Sequence, residues 1–302
     1  NWGTSEELCQ EWSHMSQGGG RWNDIEVTPD DRDVDFYVIL NLPLRHELFD
    51  PARTIVFQLE PWGDPPHLPW GVKRWGEWAD PDPSTFLSVR TPRTHLTCAF
   101  WQLQSTYHDL KTMRVDKTRH LSAVCSSKYV YPGHVARVDF LKYLEARQDD
   151  LVTVDIYGRD NAHGFGGYLG PLPLHAKDAG LLPYRYFFSA ENSIEPNYIT
   201  EKLWEPLLTE SLCFYAGAPN AADYIDPDAF IALDLSDFDR AFGVMKAAML
   251  GNEWERRLGA IRRERLKVLD QYQFFPTLER ILLHEIDRPV RRSDDGAFEE
   301  WR

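Results

Sequence analysis

The fold is decided by residues 184–234, which read YRYFFSAENSIEPNYITEKLWEPLLTESLCFYAGAPNAADYIDPDAFIALD. The pattern predicts a strand, an acidic polar loop, a helix, a strand, a loop and a third strand. The first strand is an aromatic run from Tyr186 to Ala190, which is typical of a strand buried within a sheet. Because strands and a helix alternate, we expect an α/β fold with a parallel sheet.

Four polar side chains follow the first predicted strand within eleven positions: Asn192, Tyr198, Glu201 and Lys202. They fall at the carboxyl end of that strand and in the first turn of the next helix. In parallel sheets this edge is where ligands bind, and a helix N-terminus favours an anion such as a diphosphate. The pattern therefore predicts a binding site for an anionic ligand.

The same residues have ordinary structural interpretations. Glu201 and Lys202 alone would be interpreted as a solvated pair on a helix surface. The presence of Asn192 and Tyr198 beside them favours the binding interpretation. Pro206 lies within the predicted helix and removes a backbone donor, so we expect this helix to be kinked or short.

The order of these residues resembles the donor-binding motif of glycosyltransferase family 10, the α1,3/4-fucosyltransferases. In that motif a strand runs into F-x-x-E-N-S, a short variable loop and Y-[IV]-T-E-K-L. The matching residues are Phe187, Glu191, Asn192, Ser193, Tyr198, Ile199, Thr200, Glu201, Lys202 and Leu203. Further matches downstream are Gly217, Asp228, Phe230, Ile231 and Asp234. A match of this length is much more specific than a lone glycine-rich loop.

The resemblance implies an α/β fold of the GT-B type, in which two Rossmann-like domains face each other across a cleft. We expect an N-terminal acceptor-side domain at residues 1–118, a C-terminal nucleotide-sugar donor domain at 119–286 and a charged tail at 287–302. Whether the last helix returns to the first domain is left open. Short apolar runs predict further strands at residues 34–40, 54–59, 121–126 and 151–157. Apolar periodicity predicts helices at residues 134–147, 238–250, 253–271 and 276–286.

The resemblance also implies an inverting, metal-independent transfer of fucose from GDP-fucose to a hydroxyl group of a glycan. Such a transfer needs a base that takes the acceptor proton. Glu60 is the predicted base, since it closes a strand-like run before Pro61 and resembles a family glutamate at the end of an N-domain strand. On sequence alone, an exposed strand-end carboxylate is an equally good interpretation of Glu60.

Five residues of the predicted donor domain, 119–286, are predicted to hold the donor. Arg137, in the first turn of its predicted helix, and Lys202 would contact the diphosphate. A guanidinium suits two phosphate oxygens, and an ammonium adds a point charge. Asn192 and Glu201 would bind hydroxyl groups of the sugar and the ribose, and Tyr198 would contact the nucleotide or the diphosphate.

Composition restricts the partners. The net charge of −14 and a pI near 5.2 argue against nucleic acid or an anionic membrane as a partner. The sequence has no run of about 18 apolar residues, the length that would predict a membrane span. Acidic triplets such as Asp226-Pro227-Asp228 are interpreted as turns, so no metal or cofactor is expected.

The compartment and the exact function stay open. Four cysteines without paired spacing, and the lack of an N-x-[ST] site, favour a cytoplasmic enzyme, with the Golgi lumen as the alternative if an N-terminal anchor has been removed. The alternative functions are a transferase of the same fold that uses UDP-xylose or another GDP-sugar, and a non-catalytic protein that binds a sugar or a nucleotide. A base at Glu60 would distinguish either transferase from the binding protein, because a binding protein needs no base.

Overall fold

The computed structural model describes residues 3–43, 48–62, 72–173, 175–285 and 299–300 of the chain. Its strands are β1 (Arg21–Trp22), β2 (Ile25–Glu26), β3 (Tyr37–Leu40), β4 (Leu48–Phe49), β5 (Thr54–Phe57), β6 (Ser88–Arg90), β7 (Arg119–Val124), β8 (Asp155–Tyr157), β9 (Tyr168–Gly170), β10 (Tyr184–Ala190), β11 (Leu212–Ala216), β12 (Phe230–Ala232) and β13 (Glu299–Glu300). Its α-helices are α1 (Ser5–Trp12), α2 (Tyr107–Thr112), α3 (Pro132–Arg147), α4 (Glu201–Leu208), α5 (Phe238–Leu250), α6 (Glu253–Lys267) and α7 (Phe274–Glu285). No helix within these ranges is both long enough and apolar enough to cross a membrane.

The chain divides into two compact units, residues 1–98 with 271–302, and residues 99–270. The division falls at residue 98 rather than at the predicted residue 118. Residues 99–118 go with the second unit because their polar groups bond there. The Gln102 N–H donates to Glu205 Oε1 (2.8 Å), and Lys117 Nζ donates to the Thr209 carbonyl (2.7 Å).

The last helix, α7, returns to the first unit. The ring of Phe274 lies 4.8 Å from that of Trp12 and 5.7 Å from that of Phe57, measured between centroids. These contacts remove α7 from the predicted C-terminal domain at 119–286. Within the predicted tail, 287–302, only β13 is described, and it pairs antiparallel with β4. The rest of that tail lies outside the described residues.

The first unit is built on a parallel sheet in the order β3-β5-β6. β3 and β5 lie within the predicted strands 34–40 and 54–59. Ile39, Val56 and Trp78 belong to the apolar cluster that packs on this sheet. The sheet therefore follows the apolar runs that the sequence shows.

The second unit is built on a parallel sheet in the order β12-β11-β10-β7-β8-β9. From β7 the chain passes through α3 to β8 on one side, and it later returns to β10 on the other side of β7. The strand order thus reverses between β7 and β10. In open α/β sheets, ligands bind outside the carboxyl ends of the strands at such a switch point.

Several element bounds follow the local sequence closely. β10 buries every side chain except that of Arg185, as its aromatic composition predicts. α5 has the predicted bounds, 238–250. β8 is shorter than the predicted strand 151–157, because Asp149 Oδ1 accepts the N–H groups of Leu151 and Val152 and holds them in a turn. The predicted helix 253–271 is α6 followed by a π-helical turn, Val268–Tyr272.

Candidate functional site

The candidate site lies at the carboxyl ends of β7 and β10. α3 follows β7, and the loop of residues 191–200 follows β10. The two are in direct contact, since the Gly133 N–H in the first turn of α3 donates to the Asn192 carbonyl (3.1 Å). A Cβ on Gly133 would lie 1.8 Å from the Glu191 carbonyl oxygen. Only glycine permits so close an approach of the two backbones.

Glu191 joins the two ends of this loop. Its side chain is fully buried. Oε1 accepts the Thr200 N–H (2.8 Å) and the Tyr215 hydroxyl (3.2 Å), and Oε2 accepts the Thr200 hydroxyl (2.7 Å). Burial raises the pKa of Glu191. The contacts tie the end of β10 to the start of α4, which makes Glu191 a structural support of the site.

α4 is held against β10 through a backbone carbonyl. The Thr200 hydroxyl caps this eight-residue helix by accepting the Lys202 N–H. Pro206 lies inside the helix and leaves the Lys202 carbonyl without its helical N–H partner. The Ser189 hydroxyl on β10 donates to that carbonyl instead (2.7 Å). The expected effect of Pro206 is therefore seen as a short helix that is fastened to the sheet.

The Lys202 ammonium lies among the oxygens of three side chains. Nζ is 2.9 Å from Glu201 Oε1, 3.2 Å from Thr200 Oγ1 and 3.6 Å from Glu191 Oε2. Burial opposes the charge on Lys202, but Glu201 and Glu191 outweigh it and raise its pKa. Burial also opposes ionisation of Glu201, but Lys202 and Lys177 outweigh it and lower the pKa of Glu201 to about 2. Both groups are therefore charged at neutral pH.

Arg137 is a buried cation at the same edge. It lies in the second turn of α3 rather than the predicted first turn, because α3 begins at Pro132. The residue is 4% exposed, and Nη1 donates to the Ala190 carbonyl (2.6 Å). Within the described part of the chain, Nε has no hydrogen-bond partner and the guanidinium has no carboxylate partner. A buried charge without a counter-charge is costly, so this position suits an anionic ligand.

His134 lies one turn before Arg137 and is also buried. Burial and the cations Arg137, Lys202 and Lys128 lower the pKa of His134 to about 4. The imidazole is therefore neutral at physiological pH, and its Nδ1 accepts the Tyr131 N–H (3.3 Å). Burial is the larger cause of the low pKa, and the three cations lower it further.

The structure brings four of the six predicted site residues to this edge: Arg137, Asn192, Glu201 and Lys202. The other two predicted residues are Tyr198 and Glu60. Tyr198, in the same loop, is buried with 3% of its surface exposed. Glu60 belongs to the first unit, where it is half-buried and follows Leu59, whose N–H donates to Asn41 Oδ1 (2.8 Å).

Three residues near the site were not predicted: His134, Lys177 and Glu205. His134 and Glu205 lie three and four positions from a predicted residue on the same helix, which is a spacing that helical periodicity makes visible. Lys177 carries no such signal. It lies in a 3-10 turn, Lys177–Gly180, and only the tertiary structure brings it within 3.2 Å of Glu205.

The positive charge described at this site is carried by side chains. Among the residues that the structure describes, no group of three or more histidine, cysteine or acidic side chains is arranged to hold a metal ion. The triplet at 226–228 forms a turn in which Asp226 Oδ1 accepts the Asp228 N–H (3.0 Å). The arrangement at β7 and β10 can bind an anion through Arg137 and Lys202, with a carboxylate and an amide nearby for hydroxyl groups.

Residues 115–250 match a protein-family model described as glycosyltransferase family 10 (fucosyltransferase) C-term. These residues form a glycosyltransferase family 10 domain. The family 10 domain includes β7, α3, β10 and α4, and with them every predicted site residue except Glu60. The predicted family is confirmed for this part of the chain.

Two named relatives align with part of the family 10 domain. One is a 4-galactosyl-N-acetylglucosaminide 3-alpha-L-fucosyltransferase of Hylobates lar, 36% identical over 106 residues, or 34% of this chain. The other is a 3-galactosyl-N-acetylglucosaminide 4-alpha-L-fucosyltransferase of Homo sapiens, 34% identical over 102 residues, or 33% of this chain. These matches cover 25% of each relative's own length.

A solved structure extends the likeness beyond the family 10 domain. It is described as an alpha1,3-fucosyltransferase, with a TM-score of 0.50 and 16% sequence identity. The match covers 89% of this chain and 88% of that one. At this identity the likeness shows the fold alone, and the predicted α/β fold of the GT-B class is confirmed.

Proposed function

We propose that the chain is an inverting, metal-independent glycosyltransferase that moves fucose from GDP-fucose to a hydroxyl group of a glycan. The observation that carries this proposal is the buried Arg137 guanidinium, which has no carboxylate partner among the described residues and lies at the switch point of the sheet. A diphosphate matches both its charge and its fork of donors. The donor class is supported by the family 10 domain and by the relatives named as fucosyltransferases.

Arg137 and Lys202 stabilise the leaving GDP in this proposal. Negative charge grows on the diphosphate as the bond between its oxygen and C1 of fucose breaks, and the two cations offset that charge. Lys202 is paired with Glu201 in the structure, and a diphosphate oxygen would replace Glu201 Oε1 on the ammonium. The Glu201 carboxylate and the Asn192 amide are then available to hydroxyl groups of the sugar and the ribose.

Glu60 takes the acceptor proton. The acceptor oxygen attacks C1 of fucose from the face opposite the diphosphate, so the configuration at C1 inverts. The new bond between C1 and oxygen forms as GDP leaves, and the proton passes to the Glu60 carboxylate. The assignments of Glu60 as the base and of Tyr198 to the nucleotide or the diphosphate are supported by the resemblance to family 10.

A donor screen tests the proposal. Purified protein is incubated with glycan acceptors and with GDP-fucose, GDP-mannose or UDP-xylose, each with and without EDTA. We expect transfer from GDP-fucose, at an undiminished rate in EDTA, because side chains supply the positive charge that a metal ion supplies in other transferases. A strict requirement for Mn²⁺ or Mg²⁺ would overturn the metal-independent mechanism.

The same screen separates the alternatives. Transfer from UDP-xylose or GDP-mannose in place of GDP-fucose would indicate the same fold with a different donor. GDP binding measured by calorimetry on the same preparation, without turnover on any acceptor of the screen, would indicate a non-catalytic binding protein.

A further inference from the structure

A row of alternating charges, buried or half-buried, lies at the start of α4. Its members, called the charge row below, are Glu191, Lys202, Glu201, Lys177 and Glu205. Lys202 Nζ lies between Glu191 and Glu201, and Lys177 Nζ is 3.8 Å from Glu201 Oε1 and 3.2 Å from Glu205 Oε2. No side chain of the row is more than 17% exposed. Because water screens these charges so little, each one affects its neighbours strongly.

Lys177 holds two like charges on one face of α4. Glu201 and Glu205 are four residues apart, a spacing at which carboxylates on a helix repel. Lys177 Nζ donates to both oxygens of Glu205 (3.3 and 3.2 Å) and remains close to Glu201. The Gln102 N–H also donates to Glu205 Oε1 (2.8 Å). The Glu205 carboxylate is therefore fixed from two sides, and it fixes Lys177 in turn.

The charge row contains three carboxylates and two lysines. With Lys177 in place, Glu201 is balanced by Lys177 as well as by Lys202. Without Lys177, Lys202 would be the only cation of the row. Glu191 and Glu201 would then hold Lys202 more strongly and make it less available to an incoming anion.

We propose that Lys177 is a positioning residue of the donor site, which neutralises Glu201 and Glu205 so that Lys202 can exchange its carboxylate partners for the diphosphate. This inference rests on the proposed function. Lys177 does not touch the donor in this scheme. It acts through Glu201, which separates it from Lys202.

Three further titratable residues lie next to the charge row: Arg137, His134 and Asp178. On α3, Arg137 acts to lower the pKa of Lys202, and Lys202 helps to lower the pKa of the neutral His134. Asp178, next to Lys177, accepts the N–H groups of Gln104 (2.6 Å) and Ser105 (3.2 Å) and is occupied by them.

The charge of Glu205 changes near neutral pH. Burial, only partly offset by Lys177, raises the pKa of Glu205 to about 7. When Glu205 is protonated, Lys177 balances Glu201 alone and Lys202 is held less firmly. When Glu205 is ionised, it draws Lys177 away from Glu201 and the hold on Lys202 increases.

The first test measures the dissociation constant of GDP by calorimetry. We expect Lys177→Met, which removes the charge and keeps the length, to weaken GDP binding about five- to twentyfold, as the loss of one buried neighbouring charge would. Lys177→Arg should restore most of the affinity. Lys246→Met is the matched control, because Lys246 forms its ion pair with Asp149 in the same unit and outside the charge row.

The second test uses pH, which a merely structural role would leave without effect. Glu205→Gln removes the charge and keeps an oxygen for the Gln102 N–H. Dividing the dissociation constant of wild type by that of Glu205→Gln cancels the titration of GDP itself. We expect this ratio to rise from about 1 near pH 6 to about 3 to 10 near pH 8.5.

The outcomes separate this inference from the proposed function. Unchanged GDP affinity in Lys177→Met, or an equal loss in Lys177→Met and Lys177→Arg with a flat pH ratio, would overturn the role of Lys177. If Lys177→Met does not fold, the ratio of the wild-type and Glu205→Gln dissociation constants decides alone: a ratio that rises with pH supports the role of Lys177, and a flat ratio overturns it. If wild type fails to bind GDP, the proposed function fails and the inference fails with it. If Lys202→Ala binds GDP normally and Arg137→Ala does not, the inference alone fails.

Discussion

The hydroxyl group of Ser189 donates a hydrogen bond of 2.7 Å to the backbone carbonyl of Lys202. That carbonyl is the one that Pro206 leaves without a helical partner. A proline that would ordinarily weaken a helix thus creates the acceptor that fastens α4 to β10. The position of the Lys202 side chain depends on this fastening, because Lys202 lies in the first turn of α4.

Removing the Ser189 hydroxyl should weaken the attachment of α4 to β10. Ser189→Ala leaves the Lys202 carbonyl with only the long, weak contact of the Cys213 thiol (Sγ to oxygen, 3.8 Å), so we expect the free energy of unfolding to fall by about 1 to 3 kcal/mol. Chemical denaturation measures this. The exposed Ser236→Ala is the control and should change stability by less than about 0.5 kcal/mol. Equal stabilities of the two variants would show that the Lys202 carbonyl finds another partner.

Two glycines in helices should respond in opposite ways to alanine. Gly133→Ala places a Cβ against the Glu191 carbonyl, so we expect a lower melting temperature and weaker GDP binding. Gly243, within α5, has open space around its Cβ position, and Gly243→Ala should raise stability by about 0.5 to 1 kcal/mol. A Gly133→Ala protein as stable as wild type would contradict the close contact between α3 and the loop.

Glu205 should make stability depend on pH. Its pKa is raised to about 7 by burial, so its protonated form stabilises the fold at acidic pH, and this contribution is lost as pH rises towards that value. Between about pH 5 and about pH 8, we expect Glu205→Gln to gain about 1 to 3 kcal/mol relative to wild type. Denaturation curves at several pH values measure the difference. Parallel pH profiles would mean that Glu205 stays ionised throughout.

Much of the second unit could be predicted because its signals are local. The aromatic run gave β10, and apolar periodicity gave α5 with its observed bounds. Arg137, Asn192, Glu201 and Lys202 follow strands that neighbour each other in one parallel sheet. Their positions along the chain therefore translate directly into one edge in space.

The remaining features depend on contacts between distant residues. Nothing in the local sequence places Lys177 beside Glu205, or Gln102 on the same carboxylate. The division at residue 98 is equally hidden, because residues 99–118 are assigned by their hydrogen bonds to the second unit rather than by their own pattern. α7 joins the first unit through its packing on Trp12.

The assignment of Glu60 as the base predicts a loss of turnover without a loss of donor binding. Glu60→Gln keeps the shape of the side chain but removes the basic lone pair, so we expect the transfer rate to fall by about 10² to 10⁴. GDP affinity should stay near that of wild type. Initial rates and GDP affinity are measured on the same preparation, with the exposed Glu77→Gln of the same unit as control. A variant that keeps more than about a tenth of the rate would require another base.

The most direct measurement is the affinity of GDP for wild type, Arg137→Ala and Lys202→Ala by calorimetry, with Arg263→Ala as control because Arg263 is exposed and pairs with Asp226. The proposal predicts that GDP binds wild type and the control alike. It predicts that each of the other two variants loses about 2 to 4 kcal/mol of binding free energy, since each charge-assisted contact to the diphosphate is partly desolvated. Near wild-type affinity in both variants would place the diphosphate elsewhere and contradict the donor site at the switch point between β7 and β10.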